Sequence, residues 1–280
     1  MLVNIQCLVR VCKKLNIDFR FIDNNHNVVQ ISIGNNRYYF ANWTTPYNKE
    51  SDAYIFQDKE FTYQLLKDKV RLPRTLGFLD PDIEEKRKEY LNVPTYEKIV
   101  EEIQKNFGLP VVIKKNKGAG GLGVFKCTSK DECLFAIKHV FDKTSKDYDY
   151  VVLGQEYIPI VKEYRVVVFK NEIVFAYLKD VEGATFVGNL SPLHWEGSRA
   201  VLVEDTISLE SFNVFLKPVF SELPIGYAGF DLAEDSTGKL WFLEINSKPA
   251  YDFYVRDNGT DKLLLLYEKM LESLREEKLA

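Results

Sequence analysis

The sequence predicts a mixed α+β fold in a chain of 280 residues. Two observations lead to this fold class. Some segments place apolar residues at helical spacing among charged residues, whereas others are short apolar runs bounded by turns rich in Asn and Gly. The two kinds of segment alternate along the chain without an internal repeat. With 46% hydrophobic residues, the chain can bury the core of one large domain or of two to three smaller ones.

A helix and three short strands are predicted in the first part of the chain. The helix spans residues 2–15, because six apolar residues follow helical spacing there: Leu2, Ile5, Leu8, Val9, Cys12 and Leu15. Strands are predicted over 18–22, 28–33 and 37–41, since the Asn and Gly residues between them tolerate the backbone of tight turns. A unit of about 40 residues is too small to be stable alone, so we expect it to pack on the rest of the chain.

The middle of the chain alternates helices with strands. Residues 58–69 have the polar-apolar pattern of a helix, and the charged segment 80–93 is predicted as a surface connection. Thr95 caps a second helix and Ser129 opens a third one with a capping box. Short apolar runs predict strands over 111–115, 124–127 and 150–157.

The last part of the chain contains the longest apolar strands. Helices are predicted from Ser208 and from Asp261, and the segment 180–198 is less regular. The predicted strands are 164–169, 173–178, 227–232 and 240–245. This alternation continues the α+β pattern to the end of the sequence.

Composition and charge exclude several classes of protein. The sequence has 37 Lys and Arg against 41 Asp and Glu, so the net charge of -4 gives no general attraction to nucleic acid or to an anionic membrane. No apolar run approaches the roughly 20 residues of a membrane helix, and the first residues do not form a signal peptide. Four cysteines without a CxxC pair, together with three histidines, argue against a zinc site. We therefore expect a cytoplasmic protein with reduced thiols.

A lysine followed by glycines forms the first candidate site. Lys114 lies near the end of a predicted buried strand, where a phosphate would compensate the desolvation of its ammonium group. Four glycines follow within six residues: Gly118, Gly120, Gly121 and Gly123. Their backbone N–H groups can approach phosphate oxygens closely, but the segment is neither GxxxxGK[ST] nor GxGxxG. Taken alone, a flexible hairpin tip with a surface lysine is an equally good interpretation.

Acidic residues on two later strands form the second candidate site. Glu244 and Asn246 are two residues apart on one strand and therefore share a face, and Asp231 lies on the neighbouring strand. Two carboxylates and one amide oxygen are the hard ligands that Mg²⁺ takes alongside phosphates. The alternative is that the acids are half-exposed and paired with lysines. Acids within apolar strands are costly without a partner, which favours the metal site.

The extended segment 151–159 is the third candidate. Its backbone groups can pair with a purine edge, and Glu163 can accept hydrogen bonds from ribose hydroxyls. For this segment alone, a plain strand–turn–strand is the favoured interpretation.

Taken in order, these segments resemble the ATP-grasp superfamily over roughly residues 55–250. The matching pieces are Asp58-Lys59, Lys114 with its glycine loop, Gln155–Ile158, Glu163–Arg165, Asp231 and Glu244–Asn246. The subfamily similarity is to the ATP-grasp part of cyanophycin synthetase, to the bifunctional glutathione synthetase and to ribosomal-protein glutamate ligases. The resemblance implies an ATP-grasp fold in which two α+β lobes clamp ATP, preceded by a short N-terminal α/β subdomain. The expected boundaries are 1–72, 73–157 and 158–280, with the metal site in the third part.

The resemblance also implies roles for individual residues. The residues implied to surround ATP are Lys59, Lys114, Gly118, Gly120, Gly121, Gly123, Gln155, Glu156, Tyr157, Ile158 and Glu163. Two Mg²⁺ ions, with Mn²⁺ as an alternative, are implied at Asp231, Glu244 and Asn246. The residues implied near the reacting groups are Arg165, Lys179 and Asn189.

Two residues depart from the common pattern of this superfamily. Lys115 replaces a frequent proline after the strand lysine, and Gly229 stands where many ligases have arginine. The basic group that steadies an acyl phosphate must then come from elsewhere, with Lys179, Arg165 and Arg199 as the candidates.

The function implied by the resemblance is ATP-dependent ligation of a carboxylate to an amine, with release of ADP and phosphate. Small-molecule or peptide substrates are expected, with amino acids or peptides as the favoured class, and a homo-oligomer is compatible with the sequence. Neither nucleic acid nor membrane is expected as a partner. Two alternatives stay open: a kinase that phosphorylates a hydroxyl, and a nucleotide-binding regulatory protein without turnover.

Overall fold

The computed structural model describes residues 1–276 and has a mixed α+β architecture. The helices are α1 (Val3–Lys14), α2 (Glu50–Gln57), α3 (Lys59–Leu66), α4 (Tyr96–Phe107), α5 (Lys130–Val140), α6 (Thr206–Glu222), α7 (Asp252–Asn258) and α8 (Asp261–Glu276). The strands are β1 (Asp18–Phe21), β2 (Val28–Ile33), β3 (Asn36–Ala41), β4 (Thr75–Leu79), β5 (Val111–Lys115), β6 (Val124–Cys127), β7 (Val151–Glu156), β8 (Ile160–Phe169), β9 (Glu172–Asp180), β10 (Arg199–Leu202), β11 (Tyr227–Asp235) and β12 (Leu240–Asn246).

The strands form three antiparallel sheets. The first has the order β1-β2-β3, the second β4-β7-β5-β6 and the third β10-β9-β8-β11-β12. In the second sheet, β7 lies between β4 and β5, so residues far apart in the sequence become neighbours at the sheet centre. The second and third sheets both line one open cleft, which holds the candidate site.

The first sheet is anchored by a hydrophobic core that it shares with the end of the described chain. Ile5, Leu8 and Cys12 on α1 are buried in the same cluster as Leu266 and Met270 on α8. This packing provides the burial that such a small unit needs. The expectation that this N-terminal unit packs on the rest of the chain is confirmed.

The second sheet is covered by α4 and α5. Ile99 and Ile103 of α4, together with Ala136 and Ile137 of α5, are fully buried against the sheet residue Ile113. Thr95 caps α4 and Ser129 caps α5, as the sequence predicts. One face of this sheet is therefore fixed by a rigid core, and the other is available to the cleft.

The third sheet has two different faces because its side chains alternate. Val166 and Val168 of β8 and Phe230 of β11 point into one hydrophobic core beneath α6. On the opposite face, Val167 and Phe169 join the core that includes α1 and α8. Further along that same opposite face, the side chains become charged and form the floor of the cleft.

Several elements differ from the sequence-based prediction. The structure adds α2, β4, α7 and β10, none of which the sequence pattern indicated. The charged connection contains a 3₁₀ turn over Glu85–Tyr90. The helix predicted from Ser208 begins at Thr206, because Asp205 is the N-cap that accepts a hydrogen bond from the Ser208 N–H. The added strands are short edge strands of four or five residues, which carry little periodic signal.

The predicted boundaries at 72/73 and 157/158 stay a prediction. None of the helices in the described part of the chain has the length and apolar character that a bilayer span requires.

Candidate active site

A cleft of about 990 Å³ lies between the second and third sheets. This volume is at the upper end of the range of ligand sites in proteins. Its walls come from β5, β7, β8 and β12, from the glycine loop after β5 and from the segment 186–195. The two sheets and the loops therefore converge on one space large enough for a nucleotide and a second molecule.

Lys114 is a buried cation on the wall formed by the second sheet. Burial, which is the largest cause, and the nearby Lys59 together lower the pKa of its ammonium group to about 8, although Glu244 acts in the opposite direction. Lys114 donates to Gln155 Oε1 at 2.9 Å, and no carboxylate within residues 1–276 forms an ion pair with it. The side chain is thus held in place by a neutral amide, and its charge is left for an anion from outside the chain.

Lys59 approaches the same place from the start of α3. Its Nζ lies 3.6 Å from a Glu244 carboxylate oxygen and donates to the carbonyl oxygen of Gly118 at 2.7 Å. Asp58 caps α3 by accepting from the Phe61 N–H, which fixes the direction of the neighbouring lysine. Lys59 therefore joins the glycine loop to the floor of the cleft.

The glycine loop is closed over the cleft by contacts with the segment 186–195. Gly121 has a φ of 72°, and a Cβ there would clash with the Asn189 side chain. Asn189 Nδ2 donates to the carbonyl oxygen of Gly120 at 2.9 Å, while Asn189 Oδ1 accepts from the Ser191 N–H at 2.7 Å. Asn189, which the resemblance placed near the reacting groups, thus contacts the glycine loop directly.

The base of the glycine loop is held by two aspartates that the sequence analysis did not identify. Lys115 forms an ion pair of 2.9 Å with Asp147, and His139 Nε2 lies 3.3 Å from the other oxygen of that carboxylate. Asp149 accepts from the Lys117 N–H at 2.6 Å. The Lys115 hydrogen bond holds the pKa of Asp147 below its ordinary value. Lys115, one of the two departures from the family pattern, therefore anchors the loop.

The three predicted metal ligands lie together on the floor of the cleft. Asp231 and Glu244 are cross-strand partners on β11 and β12, and Asn246 lies beside them on the same face. Asn246 Nδ2 donates to Glu244 Oε1 at 3.2 Å and approaches Asp231 Oδ2 at 3.5 Å. All three residues line the cleft. The amide oxygen of Asn246 has no hydrogen-bond partner in the part of the chain that the structure describes.

Asp231 is already engaged by cations. Arg165 donates from Nε and Nη2 to both of its oxygens at 2.6 and 3.0 Å, and Lys179 lies 3.0 Å from one of them. Burial would raise the pKa of Asp231, but these two cations outweigh it and hold the pKa below its ordinary value. Within residues 1–276, no group of three or more His, Cys, Asp or Glu residues is arranged to hold a metal ion. A metal at this place would depend on the amide of Asn246 as well as on the two acids.

Glu163 completes a charged row with Lys179, with which it forms an ion pair. Burial is the largest influence on Glu163 and leaves its pKa above the ordinary value. Burial alone would lower the pKa of Lys179, but Asp231 and Glu163 outweigh it and raise that pKa. The structure therefore pairs Glu163 with a lysine of the floor, and its predicted contact with ribose stays a prediction.

The segment predicted to contact adenine lies along the second sheet. Gln155 turns its side chain towards Lys114 and donates to Thr75 Oγ1 at 2.8 Å, whereas Glu156 pairs with Arg74 at 2.8 Å. Both side chains are thus used by the protein, and the Glu156 N–H donates to the Arg74 carbonyl oxygen at 3.0 Å. Because β7 is paired with both β4 and β5 up to this residue, the backbone after Glu156 is the part of the segment that is left for a ligand. Tyr157 and Ile158 line the cleft together with three other apolar residues: Val112, Ile160 and Leu243.

Two residues that line the cleft were not identified from the sequence. Lys126 on β6 donates to the Tyr157 hydroxyl at 3.1 Å and lies 4.2 Å from its ring centre. His194, on the segment opposite the glycine loop, packs against Phe253 with ring centres 5.2 Å apart. Neither belongs to a recognisable motif. The sequence alone does not show that Lys126 faces the cleft, because this follows only from the pairing of β6 with β5.

Comparisons with known proteins agree with this architecture. A family model of the RimK-like ATP-grasp domain matches residues 82–273. A comparison with curated proteins found no match. Among solved structures, the chain is similar to the ATP-grasp ligase PsnB complexed with a minimal precursor, with 20% identity and a TM-score of 0.52 over 81% of this chain and 63% of that one.

Two further solved structures have the same fold. The D-alanine–D-alanine ligase from Bacillus anthracis shows 17% identity and a TM-score of 0.53, covering 80% of this chain and 70% of the ligase. A bifunctional glutathione synthetase from Pasteurella multocida shows 17% identity and a TM-score of 0.57, covering 98% of this chain but 44% of the synthetase. The chain spans less than two thirds of the length of PsnB. These likenesses confirm the predicted ATP-grasp fold, and the match over 82–273 shows that the chain belongs to the family of RimK-like ATP-grasp domains.

Proposed function

We propose that this protein binds ATP and Mg²⁺ in the cleft and joins a carboxylate to an amine, releasing ADP and phosphate. The observation that carries the proposal is the buried ammonium group of Lys114, which has no anionic partner in the described chain and faces an acidic floor across the cleft. A buried cation without a counter-charge is costly unless a ligand supplies one. Phosphate oxygens supply that charge.

The residues around the cleft fit the parts of ATP. Lys59 and Lys114 would hold the phosphates from one side, and the glycine loop would cover them from the other. The segment 155–158 would hold the base against apolar residues of the second sheet. The resemblance stated above and the family match support these roles.

The floor fits a divalent cation. Glu244 and the amide oxygen of Asn246 present oxygens next to the phosphate-binding lysines, and Asp231 lies beside them. Hard oxygen ligands of this kind suit Mg²⁺, which keeps waters and phosphate oxygens as its other ligands. We propose one or two ions at this place, held mainly by Glu244 and Asn246 while Arg165 and Lys179 are paired with Asp231. Mn²⁺ would suit the same ligands.

When bound, ATP and Mg²⁺ supply the phosphoryl group that activates the carboxylate and the positive charge that offsets repulsion between the two anions. The protein's part is to hold both anions beside fixed cations and to exclude water. The glycine loop, held by Asn189 above and by Asp147 and Asp149 below, is the element that closes over the site.

An amino acid or a peptide is the proposed class of substrate. PsnB is complexed with a precursor peptide, and the other two relatives are a D-alanine–D-alanine ligase and a glutathione synthetase. The wall opposite the lysines supports this class, because Phe186, His194 and Phe253 offer apolar and aromatic surface next to the floor. The four buried, free cysteines support the proposal of a reducing, cytoplasmic location.

Phosphate release over a matrix of amino acids and dipeptides tests the ligase proposal. A ligase releases phosphate only when the acid and the amine are both present, and hydroxylamine traps the activated acid as a hydroxamate. A phosphoester stable to hydroxylamine would instead identify a kinase. Nucleotide-dependent stabilisation without phosphate release from any substrate pair would identify a regulatory protein.

Glu244→Gln should abolish phosphate release while weakening the binding of ATP with Mg²⁺ only partly. The substitution removes the negative charge that faces the metal but keeps the shape of the floor, and the remaining lysines still hold the phosphates. Phosphate release and isothermal titration calorimetry measure the two effects. The exposed Glu210→Gln on α6 is the matched control, and unchanged turnover in Glu244→Gln would remove this residue from the metal site.

A further inference from the structure

Three aromatic side chains line one part of the cleft. They are Phe186, Trp195 and Phe253, and the Phe186 side chain is 52% exposed. Single apolar side chains are common on protein surfaces, but several that line one cleft indicate a ligand site. We call these three residues the aromatic wall.

The rings of the aromatic wall are connected by direct contacts. Phe186 and Trp195 meet edge to face, with ring centres 5.1 Å apart and ring planes at 76°. His194, the neighbour of Trp195 in the sequence, meets Phe253 in the same way, at 5.2 Å and 83°. Edge-to-face contacts of this kind are favourable. The wall is therefore one continuous aromatic surface.

The backbone that carries most of the wall is held in place before a ligand binds. Thr185 and Glu196 exchange backbone hydrogen bonds of 2.8 and 3.1 Å, which closes the segment 186–195 at its base. Trp195 Nε1 donates to the carbonyl oxygen of Asn189 at 2.7 Å, and Leu193 is buried in the hydrophobic core. A surface that is already ordered loses little conformational entropy when a ligand packs on it. The exposed rings are thus preorganised for binding.

The aromatic wall is connected to the glycine loop through Asn189. The carbonyl oxygen of Asn189 accepts from Trp195, and its Nδ2 donates to the carbonyl oxygen of Gly120. His194 adjoins the same loop, since a Cβ added at Gly120 would lie 3.6 Å from His194 Nε2. A group bound on the wall would therefore lie beside the loop that is proposed to cover the phosphates.

The arginines closest to the aromatic wall in the sequence are paired with aspartates. Arg256 forms an ion pair of 2.7 Å with Asp257, and its guanidinium lies 5.2 Å from the centre of the Phe253 ring. Arg199, a candidate basic group from the sequence, pairs with Asp180 at 2.9 Å and is 62% exposed. Both positive charges are offset within the protein, which favours a neutral, apolar group on the wall over a charged one.

Besides the lysines of the second sheet, two charged side chains line the cleft without an ion pair within residues 1–276. They are Glu182 and Lys248, and both are exposed. Exposed charges of opposite sign suit the polar ends of an amino acid or a peptide, whereas aromatic rings suit an apolar side chain. The cleft therefore fits a molecule with polar ends and an apolar side chain.

We propose that the aromatic wall is the subsite for an aromatic or branched aliphatic side chain of the substrate. The substrate class then narrows to amino acids or peptides with such a side chain next to the reacting carboxylate or amine. Binding of this side chain stabilises the complex in proportion to the apolar area that is removed from water. The inference rests on the proposed function, since it assigns a subsite within the same cleft.

Calorimetry on the protein saturated with ADP and Mg²⁺ tests the inference. N-acetyl-L-phenylalanine carries the side chain on an acid, and L-phenylalaninamide carries it on an amine. N-acetyl-L-alanine and L-alaninamide are their counterparts without the ring. At least one phenylalanine probe should bind at least about ten-fold more tightly than its alanine counterpart. The probe that shows this preference tells whether the side chain belongs to the acid or to the amine.

Phe186→Ala assigns the preference to the aromatic wall. Because Phe186 is exposed, its removal opens no core, and the preference should fall by at least about three-fold. Phe186→Tyr keeps the ring and should keep the preference. Phe135→Ala on α5 is the matched control, since Phe135 is 65% exposed and does not line the cleft. The affinity for ADP, measured first in each variant, should change by less than about two-fold.

The results separate the inference from the proposed function. If the wild-type protein binds ADP but neither phenylalanine probe binds more tightly than its alanine counterpart, the subsite is wrong and the proposed function stands. A preference that is unchanged in Phe186→Ala would also overturn the assignment to this wall, as would an equal loss in Phe135→Ala. If the wild-type protein binds no ADP, the proposed function fails and the inference fails with it.

Discussion

Lys114 shows how one buried charge ties ligand binding to pH. Its pKa of about 8 in the folded protein lies below the ordinary value of 10.5 because burial disfavours the ammonium form. Between these two values the unfolded chain binds more protons than the folded one, so this residue makes stability rise with pH in that window. Binding of an anion has the opposite dependence, because it requires the charged form.

The affinity for ADP should therefore fall as the pH rises through about 8. In Lys114→Met the affinity should be lower at every pH, and the part of the pH dependence due to Lys114 should disappear. Calorimetric titrations at several pH values measure both effects, with the exposed Lys130→Met as the control. Unaltered affinity in Lys114→Met would show that this side chain does not contact the nucleotide.

At the level of single residues, the sequence predicts which residue types form the site and in which order they occur. It does not predict which side chains pair with each other. It identifies Lys114 as a buried strand lysine and brings Asp231, Glu244 and Asn246 to one face, which the structure confirms as a placement. It does not predict that Asp231 is paired with Arg165. That ion pair depends on the register between β8 and β11, which is set by packing across the sheet and not by any local pattern.

The glycine loop is the element whose attachment decides how the cleft closes. Lys115 and Asp147 fix its base, and Asn189 fixes its tip through the carbonyl oxygen of Gly120. A loop rich in glycine has high conformational entropy when it is free. These few hydrogen bonds therefore determine the fraction of molecules in which the loop is ordered.

Asn189→Ala should increase amide hydrogen exchange in the loop over residues 117–123 and at Ser191. The change removes a side chain that donates to Gly120 and accepts from Ser191, and one lost hydrogen bond of about 1 kcal/mol corresponds to roughly five-fold faster exchange. Exchange measured by mass spectrometry checks this expectation.

Asn106→Ala on α4 is the control, because its side chain makes a single local hydrogen bond to Glu102. Unchanged exchange in the loop of Asn189→Ala would show that the loop is held by its base alone.

Elements with strong caps or regular periodicity were predicted from the sequence, and short edge elements were not. α4 and α5 begin where Thr95 and Ser129 indicate. The strands β4 and β10 were missed because each lies at a sheet edge, where pairing with one neighbour defines the strand. Their existence follows from the tertiary fold and not from local propensity.

At the scale of the whole molecule, the first and last described helices belong to one core. Leu8 of α1 and Met270 of α8 are fully buried in the same cluster, which also contains Val167 from the third sheet. The N-terminal unit is therefore energetically part of the structure that carries the cleft floor.

Leu8→Ala should destabilise the whole protein by about 2–5 kcal/mol, because it leaves a cavity in this shared core. Urea unfolding followed by circular dichroism and by tryptophan fluorescence should show one transition at a lower midpoint with both probes. Ile207→Ala on α6 is the control, since Ile207 is 82% exposed and its loss should cost little. Separate transitions by the two probes would contradict a shared core.

The overall architecture could be predicted because several weak motifs occurred in a consistent order. The resemblance over residues 55–250 implied the ATP-grasp fold, and the family match and the three sheets confirm it. The relative placement of the two lobes, which creates the cleft between β5 and β12, follows from long-range packing that a single sequence does not display.

On the face of the third sheet that carries Val167 and Arg165, an apolar half borders a charged half. This arrangement has a consequence for protein engineering. Alternate residues of β8 pass directly from a hydrophobic core to the cleft floor, as Val167 and Arg165 do. Redesign of this strand to accept new molecules would therefore disturb folding at the same time. Libraries aimed at altered selectivity should instead vary the exposed Phe186 and Val187 and leave the buried Leu193 of the same segment unchanged.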